Sequence, residues 1–247
     1  MDQLSDPTPI ESRLVAKAND FKQPISASFE LTPQCNLTCD MCYVRMSSQA
    51  VSKYGGLRSI DEWLNTAEEL KSLGTLFILL TGGEPLLYPG FTDLYTSLRK
   101  MGFIITINSN GTLITEEIAE LFSRIKPRRI NISLYGTSNE TYRDLCHIAS
   151  GYDKCINGLR LLKKYGIDTK INLTLVRKNI KDYPKLIEIS REFGFPAFIS
   201  SYTSLFCSST CTSQLDIPSL RLTPEEVAAI EIEHLKYKYC LLYTSDA

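Results

Sequence analysis

Histidine is nearly absent from this chain of 247 residues: His147 and His234 are the only two, and neither stands near the cysteine-rich stretch. A histidine-rich metal site is therefore excluded there. Net charge is also scarce. With 27 Lys and Arg against 28 Asp and Glu the balance is -1, which gives no electrostatic reason to expect nucleic acid or an anionic membrane as the main partner. No apolar run approaches the roughly 20 residues that span a bilayer, and Met1 to Asp20 lacks the apolar segment of a signal peptide. A cytoplasmic protein with a small partner is the expectation. What the chain has instead is cysteine. Eight thiols in a chain of this type read as metal ligands or free thiols, because the cytosol keeps cysteines reduced.

Three of the eight fall within eight residues, Cys35-Asn36-Leu37-Thr38-Cys39-Asp40-Met41-Cys42, directly after the strand-like run Ala27 to Leu31. The first 24 residues are polar, carry Pro7, Pro9 and Pro24, and have no clear period, so they read as an arm before the fold. From Ile25 onward short β-branched runs recur: Thr75 to Thr81, Ile104 to Asn108, Arg129 to Leu134, Asp168 to Val176 and Ala197 to Ser201. Amphipathic helices are expected between them. The capping box Ser59-Ile60-Asp61-Glu62 opens one that runs to about Leu73, and others cover Phe91 to Lys100, Thr115 to Ile125, Tyr152 to Tyr165 and Tyr183 to Phe193. Gly102, Gly166 and Gly194 stand just past three of these ends.

Six strands alternating with five helices imply parallel strands joined by right-handed crossovers, an α/β fold. Periodicity leaves open whether the sheet is doubly wound or a barrel. In both cases ligands gather at the carboxyl ends of the strands. The loops that fall there are the cysteine loop, Thr81-Gly82-Gly83-Glu84-Pro85 and Asn108-Ser109-Asn110-Gly111-Thr112, with Ser133 and Asn172 on strands four and five.

Three thiolates on one loop can hold three irons of a cubane cluster, leaving the fourth iron open for a small ligand. A structural zinc, which needs four ligands, and unliganded core thiols are the alternatives at this point. The combination of Cys35-x-x-x-Cys39-x-x-Cys42 with Gly82-Gly83-Glu84-Pro85 after the second strand resembles the radical S-adenosylmethionine (SAM) superfamily over residues 25–201. The resemblance implies a partial (β/α)6 TIM-like barrel of parallel strands with outer helices. It also implies a [4Fe-4S] cluster on Cys35, Cys39 and Cys42, and SAM bound at the open iron. Reductive cleavage of SAM would yield a 5′-deoxyadenosyl radical, with a flavodoxin or ferredoxin as electron donor.

The same resemblance assigns residues to SAM. Gly82, Gly83 and Pro85 would bring backbone close to it, and Glu84 would accept a bond from its amino group. Asn108 and Asn110 would face the ribose, and Ser133 would face the cofactor from strand four. Arg143 would meet the cofactor carboxylate, although an exposed helix arginine fits its position equally. Met41 stands where many members carry an aromatic residue, and Tyr43 is the candidate to line the adenine pocket.

Beyond Ser201 the signals change. Cys207 and Cys211 sit in a Ser/Thr-rich loop and read either as auxiliary ligands or as ordinary thiols. Thr223-Pro224-Glu225-Glu226 opens a helix toward Lys238, within a post-barrel segment over 202–239. Residues 240–247, Cys-Leu-Leu-Tyr-Thr-Ser-Asp-Ala, resemble a translated sequencing adaptor and are expected to be non-native. The overall pattern is similar to the branch that carries a C-terminal SPASM domain, here expected to be lost by truncation. That branch implies a peptide or protein side chain as substrate. Small-molecule cofactor biosynthesis and a non-catalytic iron-sulfur protein are the alternatives.

Overall fold

A computed structural model describes residues 9–201 and 217–244, with side-chain surroundings given for 10–201 and 218–235. Helix α1 (Pro9–Asp20) comes first, then β1 (Ser26–Thr32), α2 (Ser48–Lys53), α3 (Ile60–Ser72) and β2 (Phe77–Gly82). The middle of the chain holds α4 (Phe91–Lys100), β3 (Ile104–Ser109), α5 (Glu116–Arg124), β4 (Arg129–Ser133), α6 (Asn139–Cys146) and α7 (Gly151–Lys164). It continues through β5 (Thr169–Thr174), α8 (Tyr183–Phe193), β6 (Ala197–Ser200), α9 (Ile217–Leu220) and α10 (Pro224–Thr244).

The six strands form one parallel sheet in the order β1-β2-β3-β4-β5-β6. This order separates the two topologies that periodicity left open. A doubly wound sheet reverses direction at a switch point, whereas an unbroken sequential order with right-handed crossovers places every crossover on one face. The result is a partial barrel, with no β6 to β1 pairing among the described residues. Alternate strand residues accordingly serve two different surroundings. Phe29, Leu31, Ile78, Leu80, Ile105, Ile107, Ile130, Ile132, Ile171 and Leu173 are buried under the helices. The opposite, inner face carries Ser28, Leu79, Thr106, Asn108, Asn131, Lys170 and Asn172, which is far more polar.

Each helix expected between strands forms, and α3 carries the full capping box: Ser59 accepts from the Glu62 amide while Glu62 accepts from the Ser59 amide at 2.7 Å. Four of the described helices depart from the sequence reading. The segment read as an aperiodic arm contains α1, which docks against the inner face through an Arg128–Glu11 ion pair of 2.7 Å. The others are α2, α6 and α9. Cys207 and Cys211 lie outside the described residues, and the adaptor-like tail continues α10 as far as Thr244. Among the described residues no helix is long and apolar enough to cross a membrane.

Candidate functional site

A bulge near Leu31 shifts the register of β1, so that Glu30 pairs with Thr81 and Thr32 with Gly82. From there the two chains keep pairing beyond the sheet. The Gly83 amide donates to the Thr32 carbonyl at 2.7 Å, and the Glu84 amide to the Gln34 carbonyl at 2.9 Å. The approach is close enough to require glycine: a Cβ on Gly82 would lie 2.3 Å from the Thr32 carbonyl oxygen, and one on Gly83 2.3 Å from that of Gln34. Gly82 also has φ +137, which L side chains avoid. The second motif therefore clamps the three residues that lead into Cys35.

The cysteine loop is held at its other end by α6. The Thr38 amide donates to the Cys146 carbonyl and the Asp40 amide to the Leu145 carbonyl, both at 3.0 Å. Asp40 also takes His147 Nε2 at 2.6 Å and Lys178 Nζ at 2.7 Å. Burial works against ionising this carboxyl, but hydrogen bonds from Lys178 and His147 outweigh it and hold Asp40 below its ordinary value. Cys146, given no role by its place in the sequence, meets the loop. Its thiol hydrogen-bonds Cys39 and, with burial, pushes the Cys39 thiol far up.

Cys35 Sγ accepts from the Leu37 amide at 3.4 Å and from Asn110 Nδ2 at 3.6 Å. Burial is the main reason its thiol is pushed up to about 11, and these donors pull it the other way. Asn110 is fully engaged. Its Oδ1 accepts from the Thr112 amide at 2.9 Å and the Thr112 hydroxyl at 2.6 Å, while its Nδ2 also reaches Asn36 Oδ1 at 2.9 Å. Asn36 in turn donates to Thr112 Oγ1 at 2.8 Å.

Several expected cofactor contacts look different in three dimensions. Glu84 has no exposed surface, and its carboxylate accepts from the Ser109 hydroxyl (2.9 Å), the Asn110 amide (2.7 Å) and the Leu86 amide (3.2 Å). These bonds tie the β2 loop to the β3 loop. Asn110 likewise points inward, because its amide groups have better partners within the chain. Asn108 stands on the inner face of β3 and accepts from Asn131 Nδ2 at 2.7 Å. Arg143 occupies the exposed face of α6, opposite the buried Tyr142 and Leu145. Met41 packs its side chain into the core. Tyr43, next to Cys42, is 59% exposed and free to cover a ligand, and Pro85 is buried at the start of a short 3-10 turn. Ser133 is partly buried on the inner face, directly in register with Asn172 on β5.

Below these loops α1 and the inner face of β1 to β4 enclose a cavity of about 980 Å³. Asn131, 3% exposed, lines it, and among the described residues neither its Oδ1 nor that of Asn172 has a hydrogen-bond partner. Sequence reasoning missed Asn36 and Asn131, and it placed Thr112 in the β3 loop without its bonds to Asn110 and Asn36. The Asn at the second position of the cysteine motif and the Thr after Asn-Gly were visible, but only the fold brings them together.

A Radical SAM superfamily model matches residues 29–189. An AdoMet-dependent heme synthase of Methanosarcina barkeri is 28% identical over 175 residues, covering 71% of this chain and 49% of that protein. The subtilosin biosynthesis protein AlbA of Bacillus subtilis is 28% identical over 190 residues, covering 76% and 42%. The chain thus spans about half the length of the curated relatives it matches. Among solved structures, Streptococcus suis SuiB bound to S-adenosylmethionine superposes with a TM-score of 0.69 at 16% identity, covering 93% of this chain and 52% of that one. That likeness is one of fold.

Proposed function

The chain belongs to the radical SAM superfamily, and on that premise we propose that residues 25–201 are the radical-generating core of an enzyme that modifies a peptide or protein side chain. In this reading Cys35, Cys39 and Cys42 hold a [4Fe-4S] cluster. The observation that carries it is the continued pairing of Gly82 to Glu84 with Thr32 to Gln34, which delivers Cys35 to two N–H donors suited to a thiolate. Once bound, the cluster and SAM would supply one-electron cleavage of the sulfonium and, from it, abstraction of a substrate hydrogen atom.

The chain's own part is to bind and shelter. The backbone of Gly82, Gly83 and Pro85 forms the near wall of the SAM site, with Ser133 and Asn108 on the inner face and Tyr43 over the adenine. Glu84 acts indirectly, by fixing the two loops. The substrate would enter from the carboxyl ends of the strands, and Asn131 Oδ1 on the inner face, which has no partner among the described residues, would accept a donor from it. An electron donor such as flavodoxin or ferredoxin completes the reaction. The peptide reading is supported by AlbA and by the SuiB structure with a precursor peptide. A second reading, small-molecule cofactor biosynthesis, is favoured by the heme synthase match.

Anaerobic reconstitution with iron and sulfide, followed by dithionite and SAM, tests the core reading. We expect a loaded cluster and release of 5′-deoxyadenosine. A loaded cluster that yields no nucleoside would overturn the enzymatic reading and leave an iron-sulfur binding protein.

A further inference from the structure

We propose that Asn110 is a positioning residue that holds the Cys35 sulfur and sets the reduction potential of the cluster, by donating an N–H···S bond from its side-chain amide. The inference rests on the cluster proposed above. Its geometric basis is the orientation of one carboxamide.

The amide of an asparagine can be turned either way, and only its partners decide which end faces the sulfur. Here the partners leave no choice. Thr112 N–H, 2.9 Å away, is an obligate donor, so the Asn110 atom facing it must be oxygen. The Asn110 backbone amide is tied to the buried Glu84 carboxylate at 2.7 Å, which fixes the residue from its other side. Nδ2 is thereby aimed at Asn36 Oδ1 and Cys35 Sγ, one hydrogen for each, at 2.9 and 3.6 Å. Asn110 is only 6% exposed, so water does not compete for these bonds.

An N–H donor to a cluster thiolate stabilises negative charge on sulfur. Gaining one electron adds negative charge to the cluster, so the reduced state gains more from the bond than the oxidised one, and the potential rises. Glu84 participates through this arrangement. A carboxylate that touches the Asn110 backbone transmits the position of the β2 loop to the sulfur ligand without contacting it.

The test is an EPR-monitored redox titration of reconstituted protein, with dithionite as electron source, comparing wild type with Asn110→Ala and the isosteric Asn110→Asp. Both variants should load iron and sulfide and show a more negative midpoint. For Asn110→Ala the reduced-to-oxidised ratio at a fixed potential should fall about tenfold, equivalent to about 59 mV for one electron. The fall should be larger for Asn110→Asp, which keeps an oxygen for Thr112 but turns a negative oxygen toward sulfur. Full loading with an unchanged midpoint in both variants overturns the proposal. If neither variant folds, the wild type decides. With asparagine labelled by nitrogen-15, ENDOR of the reduced cluster should detect a weak nitrogen coupling, and its absence overturns the inference. Failure of the wild type itself to take up a four-iron cluster would instead sink the functional reading on which this one rests.

Discussion

At the scale of single residues, the three loop cysteines and Glu84 carry the sharpest expectations. Replacing Cys35, Cys39 or Cys42 by alanine should abolish the visible absorbance of the reconstituted cluster. Cys155→Ala should keep it, because this fully buried thiol packs beneath the Ser133 carbonyl, at 3.9 Å, and serves the core. Its loss should cost about 1–2 kcal/mol in urea unfolding. Glu84 makes stability depend on pH. Burial pushes its carboxyl from 4.5 up to about 7, against three donors that pull it down. The folded state therefore keeps a proton that the unfolded chain releases, so this contribution is complete below about pH 4.5 and lost as pH rises through about 7. Urea unfolding of the metal-free protein between about pH 5 and 8 should show stability falling. Glu84→Gln should flatten that slope while lowering stability by about 1–3 kcal/mol, because an amide N–H then faces one of the existing donors. The residue types at the site were legible from the motif. The directions of Glu84 and Asn110 were not, since both side chains have several possible partners and only the packed loops select among them.

At the scale of elements, strong local signals and weak ones separated cleanly. Helix α3 combines a capping box with an apolar stripe that buries Trp63 and Ala67. Ser59→Ala should cost about 1 kcal/mol, readable as a lowered urea midpoint. Helix α6 escaped notice because half of its buried face, Thr141 and Tyr142, is polar by composition and hides the helical period. Helix α1 buries little of its own and is held by docking on the barrel, a contact no local pattern encodes. The most exacting element junction is the pairing of Gly83 with Gln34. Gly83→Ala places a Cβ against a carbonyl and should destabilise by about 1–3 kcal/mol. The same variant should retain less iron after reconstitution, since the strain falls on the residues leading into Cys35.

At the scale of the whole molecule, the cysteine loop is suspended between the two halves of the sheet. Gly82 to Glu84 hold it from the β2 side, and α6 with Lys178, just past β5, holds it from the other through Asp40. The Asp40–Lys178 pair is partly exposed, so Lys178→Met should cost at most about 1 kcal/mol of stability, an effect that added salt reduces in wild type. Chain order and composition alone determined the strand–helix alternation, the parallel α/β class and the three-cysteine loop after β1, because hydrophobic period, caps and motif spacing are local properties of a sequence. Tertiary structure alone decided that the sheet is singly wound, that α1 floors the cavity, that Cys146 lies against Cys39, and that Asn110 and Glu84 face the chain itself. Each of those depends on groups far apart in sequence competing for the same buried donors and acceptors, and that competition is settled only when the loops pack together.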